Sequence, residues 1–359
     1  MIEVRSFDGD PDELVALINC AWQERYLSKD LIPVYDRAGL EWQILQSKEG
    51  SHPFHLAAYD GAKLVGCFLA ERLSFQVEGE TVPGTQGSWF SVLPEYASSR
   101  VAIRLINALE RAHREHEMRL FLGYVNHTQG TSAKVFWDAY AHAFPQRYRS
   151  ICDVHFWTRF LRHGDVADRL SSGLERAGVR LLSMVQGIPR VGGGSGPTIR
   201  PFEGGDLDGC LALLNAHAFT RGLGQVWDAP TLIRQLTDPH HTPPVATTLV
   251  VEGEGGIQGL ANAFSWPMKG SGTFPAAVVD LMVADGLPPR DQRRLLTATT
   301  AALAAQGAAL VMAPAYSFDR KGLFAGAGFV PLPSVCTLMT LFPDPALSFD
   351  PSPAQLRFR

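Results

Sequence analysis

An internal repeat constrains the fold of this chain more than any other feature of its sequence. Ile2–Trp22 and Thr198–Phe219 both read as a short strand, an acidic or glycine-containing turn that can cap a helix, and an apolar-periodic helix. Arg5 matches Arg200 and Phe7 matches Phe202. After a one-residue slip, the matching pairs are Asp12 with Asp208, Leu17 with Leu213 and Asn19 with Asn215. We therefore expect two similar units in tandem.

The repeat extends through the rest of each half. His55–Arg72 is a predicted hairpin around Asp60-Gly61, and Thr248–Asn262 has the same pattern around Glu252–Gly256. A strand, a helix and another strand follow in each half: Gly87–Leu93, Val101–His116 and Arg119–Val125 in the first, and Ala277–Val283, Arg290–Gln306 and Ala308–Met312 in the second. The order β-α-β-β-β-α-β is thus predicted twice, which indicates mixed α/β domains.

The composition fits two globular domains and argues against nucleic-acid binding. Of the 359 residues, 46% are hydrophobic and 19% charged, and the formal net charge is -4 without a basic run. The first residues are acidic and no apolar stretch reaches membrane-spanning length, so we expect neither a signal peptide nor a membrane span. The five cysteines are widely spaced without a C-x-x-C pair, which is typical of reduced thiols in a cytoplasmic protein.

Residues Gly87–Leu109 carry the clearest indication of a binding site. A short apolar run leads into Pro94-Glu95-Tyr96 and a small polar loop, and apolar residues then recur at helical spacing from Val101. The pattern predicts a strand, a tight loop and a helix N-terminus, where backbone N–H groups favour an anion. A pyrophosphate is the anion that we expect.

The same stretch resembles motif A of the GCN5-related N-acetyltransferases, the GNAT superfamily. In that motif a strand ending in V-x-P-x-Y leads into an R/Q-x-x-G-x-G/A loop that binds the pyrophosphate of acetyl-coenzyme A. The matching residues are Val92, Pro94, Tyr96 and Ala102. Ala97 replaces the Arg/Gln, and Arg100 replaces the first Gly. The resemblance implies an α/β (mixed α+β) fold of two tandem GNAT-like domains, each a twisted mixed sheet flanked by helices.

The repeat and the resemblance together predict the domain boundaries. The first domain would span residues 1–161 and the second 198–345, joined by a helix, a strand and a Gly-rich linker in 162–197 and followed by a tail, 346–359. We expect the acyl-donor site in the first domain, because the loop of the second carries two prolines, which lack an N–H, and has Asp291 and Arg293 at its glycine positions. The second domain would then be a degenerate copy.

In the family, the acyl thioester lies where the motif A strand splays from the next strand. The resemblance implies that backbone N–H groups of Phe90, Ser91 and Val92 hold the thioester carbonyl, on which negative charge grows as an amine attacks. The other cofactor-binding positions that it implies are Ser98, Ser99, Arg100, Val101, Ala102 and Asn126. Arg100 would also offer a charged donor to a phosphate.

The resemblance leaves both proton-transfer groups open. The family's tyrosine, which protonates the leaving thiolate, is replaced by Trp137 in the first half and by Phe324 in the second. The candidate acids are therefore Tyr140 and Tyr124. Glu71 is the candidate base of the first half, and the alternative is a solvated carboxylate on a strand.

Two further features concern the acceptor. In the family, the segment that follows the first helix covers the acceptor site, and here it contains Trp22, Tyr26 and Trp42. These aromatic residues either line a substrate pocket or pack in the core. In the second half, Asp280 lies on the strand three residues before Val283 and is the candidate base there.

The resemblance implies an enzyme, an N-acyltransferase that moves an acyl group, most simply acetyl, from acetyl-CoA or another acyl-CoA to the amine of a small molecule. The amine would attack directly, without a metal or a covalent intermediate. Two alternatives remain open: the donor is a thioester on the phosphopantetheine of an acyl carrier protein, or neither half is catalytic and the chain is a ligand-binding or scaffold protein. We expect no nucleic-acid or membrane partner and a monomer or homodimer in the cytoplasm.

Overall fold

The computed structural model describes residues 1–26, 31–45, 52–126, 132–170, 172–182, 186, 196–238, 240–241, 244–316, 321–347 and 356. Most of the predicted Gly-rich linker and most of the tail lie outside these residues. The helices are α1 (Pro11–Tyr26), α2 (Arg37–Leu40), α3 (Val101–Glu115), α4 (Ser132–Ala143), α5 (His163–Ala167), α6 (Gly173–Leu182), α7 (Leu207–Ala218), α8 (Ala229–Leu236), α9 (Pro289–Ala305) and α10 (Lys321–Gly326). Short helical turns occupy Glu41–Leu45, His52–Phe54, Pro94–Tyr96 and Gly204–Asp206.

The strands confirm the predicted order in both halves, with short additions. They are β1 (Ile2–Ser6), β2 (Ile32–Pro33), β3 (His55–Asp60), β4 (Lys63–Val77), β5 (Glu80–Val92), β6 (Leu120–Asn126), β7 (Tyr148–Phe160), β8 (Thr198–Pro201), β9 (Leu223–Val226), β10 (Ala246–Gly253), β11 (Gly256–Ser265), β12 (Met268–Lys269), β13 (Thr273–Phe274), β14 (Ala276–Val283), β15 (Leu310–Tyr316) and β16 (Val330–Leu341). The fold class is mixed α/β, as the sequence predicts.

One mixed sheet runs through both halves in the order β1-β3-β4-β5-β6-β16-β7-β15-β14-β11-β10-β8. The last strand of each half lies beside strands of the other half. Strand β7 pairs with β15, where Phe160 faces Leu310, and β16 pairs with β6, where Cys336 faces Asn126. Strands β7 and β16, which each half thus exchanges with the other, also pair with each other. The predicted domain boundaries at residues 161 and 198 stay a prediction. The strands on the two sides of these boundaries belong to one continuous sheet.

Two smaller pairings also join the halves. Strand β9 of the second half adds to β4 of the first, with Val226 opposite Ser74. Strand β12 pairs with β2, with Lys269 opposite Ile32. The described part of the chain therefore folds as two repeats whose backbones are joined at several places.

The apolar spacing of α3 explains how this helix supports the predicted donor loop. Val101, Leu105, Ile106 and Leu109 are fully buried against one face of β4–β6, together with Phe121. Successive strand residues point to opposite sides of a sheet, and the residues that alternate with those facing α3 pack against helix α1 on the opposite face. A rigid, two-sided core thus holds the N-terminus of α3 against the end of β5.

Two buried histidines should make the fold sensitive to acid. Burial lowers the pKa of both His113 and His55 to about 4, and Nε2 of His113 lies 2.8 Å from Oγ1 of Thr85. Both are neutral in the folded and unfolded chain above pH 6.5, whereas between pH 6.5 and 4 only the unfolded chain takes up their protons. Stability should therefore fall as the pH drops through this window, by about 3 kcal/mol per histidine.

The His113→Gln variant, which keeps a neutral polar group beside Thr85, tests this expectation. Urea unfolding at pH 7, 5 and 4 should give a free energy of unfolding that decreases about 3 kcal/mol less in the variant than in the parent. Equal decreases would contradict the assignment of this acid sensitivity to His113.

Candidate active site

The sheet opens between β5 and β6, at the place where the sequence predicts the donor. These parallel strands pair from Gly84 opposite Leu120 to Gly87 opposite Gly123, and among the described residues their pairing goes no further. Beyond that point β5 continues to Val92 and β6 to Asn126, and β6 stays paired with β16 on its other edge. The end of β5 therefore borders an opening in the sheet.

A β-bulge shapes this end of β5. Ser88 faces Leu69 and Ser91 faces Cys67, so Trp89 and Phe90 both lie opposite the single residue between them. Trp89 is buried and has φ 52°. A positive φ is unfavourable for a bulky residue, and such strain is most common at functional sites.

The backbone N–H of Val92 faces the opening. The N–H of Leu93 donates to the carbonyl of Val65 at 3.0 Å, so this directly opposed pair is hydrogen-bonded. In an antiparallel ladder the neighbouring pair, Val92 and Gly66, is then not hydrogen-bonded, and its N–H groups point away from the partner strand. The N–H of Ser91 points the other way, towards β4, by the same alternation. Ser91 and Val92 are both predicted to bind the thioester carbonyl, and of the two it is Val92 whose N–H points to the opening.

The loop after β5 ends in an open helix N-terminus. Within it the N–H of Ser99 donates to the carbonyl of Tyr96 at 3.0 Å, and Ser98 is exposed. The first bond of α3 runs from Arg104 N–H to Arg100 O, so the N–H groups of Val101 and Ala102 have no acceptor inside the helix. These donors lie at the positive end of a 15-residue helix, where an anion is favoured, at the place predicted for the pyrophosphate.

Arg100 adopts a conformation suited to the glycine that it replaces. It has φ 62° and ψ 15°, in the left-handed region, its side chain is exposed and it makes no capping hydrogen bond. The left-handed conformation costs a non-glycine residue roughly 1 kcal/mol. The loop thus keeps the backbone shape that glycine favours and adds a guanidinium.

The candidate proton-transfer residues lie on two faces of the sheet. Glu71 is paired with Gln86, which is paired with Leu122, so these three side chains share one face. Tyr124, two residues beyond Leu122, is on that face too. Tyr140 lies on the opposite face, in α4. Glu71 and Tyr124 are therefore brought to the same side of the opening, and Tyr140 is not.

Tyr140 has the surroundings of a core residue. It is buried among Phe136, Trp137 and Phe144, and among the described residues its hydroxyl has no hydrogen-bond partner. Burial raises the pKa of this phenol. Trp137, at the family's tyrosine position, packs against Phe90 of the bulge, with ring centroids 5.6 Å apart.

Glu71 has a cationic partner that the sequence did not indicate. Its side chain is 6% exposed, and Nη2 of Arg234, in α8 of the second half, donates to its Oε1 at 3.2 Å. The alternative of a solvated carboxylate is therefore wrong for Glu71. No motif could have predicted Arg234, because it is 163 residues away in the chain.

Aromatic side chains cover the Glu71 face near the bulge. The indole N–H of Trp22 donates to the hydroxyl of Ser91 at 2.9 Å, and Tyr35 packs edge-on between Trp22 and Trp89. Burial raises the pKa of the Tyr35 phenol well above its ordinary value, so this phenol is neutral at physiological pH. Trp266 of the second half completes the cluster, with a ring centroid 6.4 Å from that of Tyr35. The side chain of Tyr26 lies outside the described residues.

The matching bulge in the second half carries a buried polar network. Strand β14 pairs with β15 as far as Val278, and a register shift against β11 brings Asp280 to the bulge position. Asp280 is buried and accepts a hydrogen bond from Gln235 at 2.9 Å; Gln235 also donates to Asn262 at 2.7 Å. Asn126, the remaining predicted binding residue, lies exposed at the end of β6.

Three comparisons with known proteins bear on this arrangement. A structure of Saccharomyces cerevisiae N-myristoyltransferase with bound myristoyl-CoA matches 100% of this chain and 89% of its own, with a TM-score of 0.75 and 14% identity. A second structure of that enzyme with myristoyl-CoA matches 100% and 84%, with a TM-score of 0.76 and 14% identity. The chain has the tandem GNAT fold. No protein-family model and no curated protein sequence matches it.

A more distant structure has the same fold. It is a conserved protein of unknown function from Enterococcus faecalis V583, a probable N-acyltransferase, which matches 96% of this chain and 73% of its own with a TM-score of 0.53 and 11% identity. Within the described part of this GNAT fold, no three His, Cys, Asp or Glu side chains are grouped as metal ligands. None of its described helices is long and apolar enough to cross a membrane.

Proposed function

We propose that this protein is an acyl-CoA-dependent N-acyltransferase whose donor site is the opening between β5 and β6. The observation that carries the proposal is the Val92 N–H, which faces this opening, together with the N–H groups at the start of α3 that have no acceptor inside the helix. The Val92 N–H would bind the thioester oxygen, and the N–H groups at the start of α3 would bind the pyrophosphate. Such fixed donors stabilise the negative charge that develops on a thioester oxygen under attack.

The reaction that fits these residues is direct aminolysis. The amine nitrogen attacks the thioester carbon, a C–N bond forms and the C–S bond breaks. Glu71 accepts the proton that the amine loses, and the coenzyme A thiolate leaves with the sulfur electron pair. Tyr124, on the same face as Glu71, is the candidate that protonates the thiolate.

Acetyl is the simplest acyl group for this site, and a small-molecule amine is the acceptor that we propose. The structural neighbours support acyl-CoA as the donor class, because the yeast N-myristoyltransferase structures contain myristoyl-CoA. A series of acyl-CoA donors from acetyl to myristoyl, with turnover followed by free thiol release, would identify the acyl group. Absence of coenzyme A binding in calorimetry, together with no thiol release, would contradict the proposal.

Replacing Arg100 tests the donor loop. Arg100→Glu should raise the dissociation constant for coenzyme A about 10-fold, because it removes a charged donor and adds a negative charge at an anion site. Arg111→Glu is the matched control: Arg111 is also exposed on α3, but it lies about 16 Å further along the helix, beyond the screening length at 0.1 M salt. Calorimetry should show less than a 2-fold change for the control. Equal affinities in the two variants would exclude this loop as the site.

Arg100→Gly separates the charge from the backbone. It removes the guanidinium but relieves the left-handed conformation, so the free energy of unfolding should rise by roughly 1 kcal/mol. Coenzyme A affinity should fall only about 3-fold, because the N–H groups of the helix start remain. A loss as large as that of Arg100→Glu would mean that the side chain, and not the backbone, forms the site.

A carrier-protein thioester is the second candidate donor. The observation that favours it is Ala97, which replaces the Arg/Gln of the motif and so removes one polar side chain from the loop that would hold the pyrophosphate. A phosphopantetheine arm carries one phosphodiester and no pyrophosphate. Transfer from an acylated carrier protein, without measurable binding of free coenzyme A, would select this donor.

A further inference from the structure

The C-terminal end of α8 reaches from the second half to the buried carboxylate of the first. Nη2 of Arg234 lies 3.2 Å from Oε1 of Glu71. The Arg234 side chain is 32% exposed and the Glu71 side chain 6%. A carboxylate removed from water needs charged or hydrogen-bonding partners, and Arg234 is a cationic partner that can orient Glu71.

The first half fixes the backbone of Arg234. The indole N–H of Trp42 lies 3.0 Å from the carbonyl oxygen of Arg234 and 2.9 Å from that of Thr237. These carbonyls lie in the last turn of α8 and just after it, where the helix itself supplies no donor. Trp42 is buried, and its ring packs against Phe264 with centroids 5.6 Å apart.

The second half fixes the adjacent residue. Gln235 is 2% exposed and donates to Asp280 at 2.9 Å and to Asn262 at 2.7 Å. The hydroxyl of Thr248 donates to the carbonyl of Leu236 at 2.7 Å. Hydrogen bonds from both halves therefore hold the end of α8 in place.

We propose that Arg234 is a positioning residue: the second half supplies the guanidinium that orients the Glu71 carboxylate towards the acceptor amine. This inference rests on the proposed function, because it takes Glu71 as the proton acceptor. It gives the second half a role in catalysis at the site of the first half.

Three variants and a control test this role. Arg234→Gln should lower kcat about 10-fold without changing the KM of the acyl-CoA donor or the affinity for coenzyme A, and Arg234→Lys should restore kcat to within about 3-fold of the parent. Trp42→Phe, which removes the indole N–H from the end of α8, should lower kcat in the same direction. Arg119→Gln is the matched control. Arg119 is 33% exposed and also joins the halves, through Asp344, but it lies just before the start of β6, at the end of the strand that is away from the opening. Its kcat should stay within 2-fold.

The outcomes separate this inference from the proposed function. If the parent neither binds coenzyme A nor transfers an acyl group, the proposed function is overturned and the inference with it. If the parent is active, an unchanged kcat in Arg234→Gln overturns the inference alone. The inference is also overturned if Arg119→Gln lowers kcat as much as Arg234→Gln does, or if Arg234→Gln changes the KM of the donor and not kcat. It is overturned as well if the kcat of Arg234→Lys is no higher than that of Arg234→Gln. Should Arg234→Gln not fold, the kcat values of Arg234→Lys and Trp42→Phe against Arg119→Gln decide in the same way.

Discussion

Replacing Glu71 by Gln is expected to lower kcat for acyl transfer about 100-fold at pH 7, because the variant keeps the shape of the side chain but cannot accept the proton of the amine. Its affinity for coenzyme A should not change, since Glu71 lies on β4 and not in the donor loop. The loss should shrink as the pH rises towards the pKa of the amine, where the acceptor no longer needs a base. Steady-state kinetics from pH 6 to 10, with thiol release as the readout, would measure both effects.

Two further carboxylates serve as comparisons for this variant. Glu80 is exposed at the start of β5 and pairs with Arg119, so Glu80→Gln should leave kcat within 2-fold. Asp280→Asn changes the buried carboxylate at the matching place of the second half. If Asp280→Asn loses the activity and Glu71→Gln keeps it, the chemistry lies in the second half and our assignment is wrong.

The architecture of each half was predictable, because local patterns determine it. The repeated strand, turn and helix at the start of each half, the Asp60-Gly61 hairpin and the apolar stripe from Val101 all appear where the sequence indicates. A strand pattern shows which residues alternate between two faces, but not which strand lies alongside. Strands β7 and β16 both follow a helix at the end of a half, so their residues did not show that each would lie beside strands of the other half.

The site divides in the same way. Motif positions such as Val92 and Arg100 are local, and the backbone at both supports the expectation drawn from the motif. The partner of Glu71 is not local, because Arg234 reaches it only after the halves have packed together. The faces of Tyr124 and Tyr140 likewise depend on strand register and helix packing. Sequence spacing alone therefore could not decide which tyrosine shares a face with Glu71.

The strand exchange has a large expected effect on stability: neither half should fold without the other. A fragment of residues 1–186 would leave β7 without β15 and β16, and β6 without β16, so long edges of unpaired N–H and C=O groups would be exposed. We expect this fragment and its complement, residues 196–359, to be unfolded or aggregated when each is expressed alone, as judged by far-ultraviolet circular dichroism. The intact chain should unfold in one transition, with equal calorimetric and van't Hoff enthalpies.

Co-expression of the two fragments provides the control, because it introduces the same chain break but supplies every strand. The pair should assemble into a complex with the circular dichroism spectrum of the intact chain and should bind coenzyme A with similar affinity, since the donor loop and α3 are complete in the first fragment. A native-like spectrum and coenzyme A binding from residues 1–186 alone would contradict the argument. In that case β16 would be dispensable to the first half, and the second half could act on the site only through side chains such as Arg234.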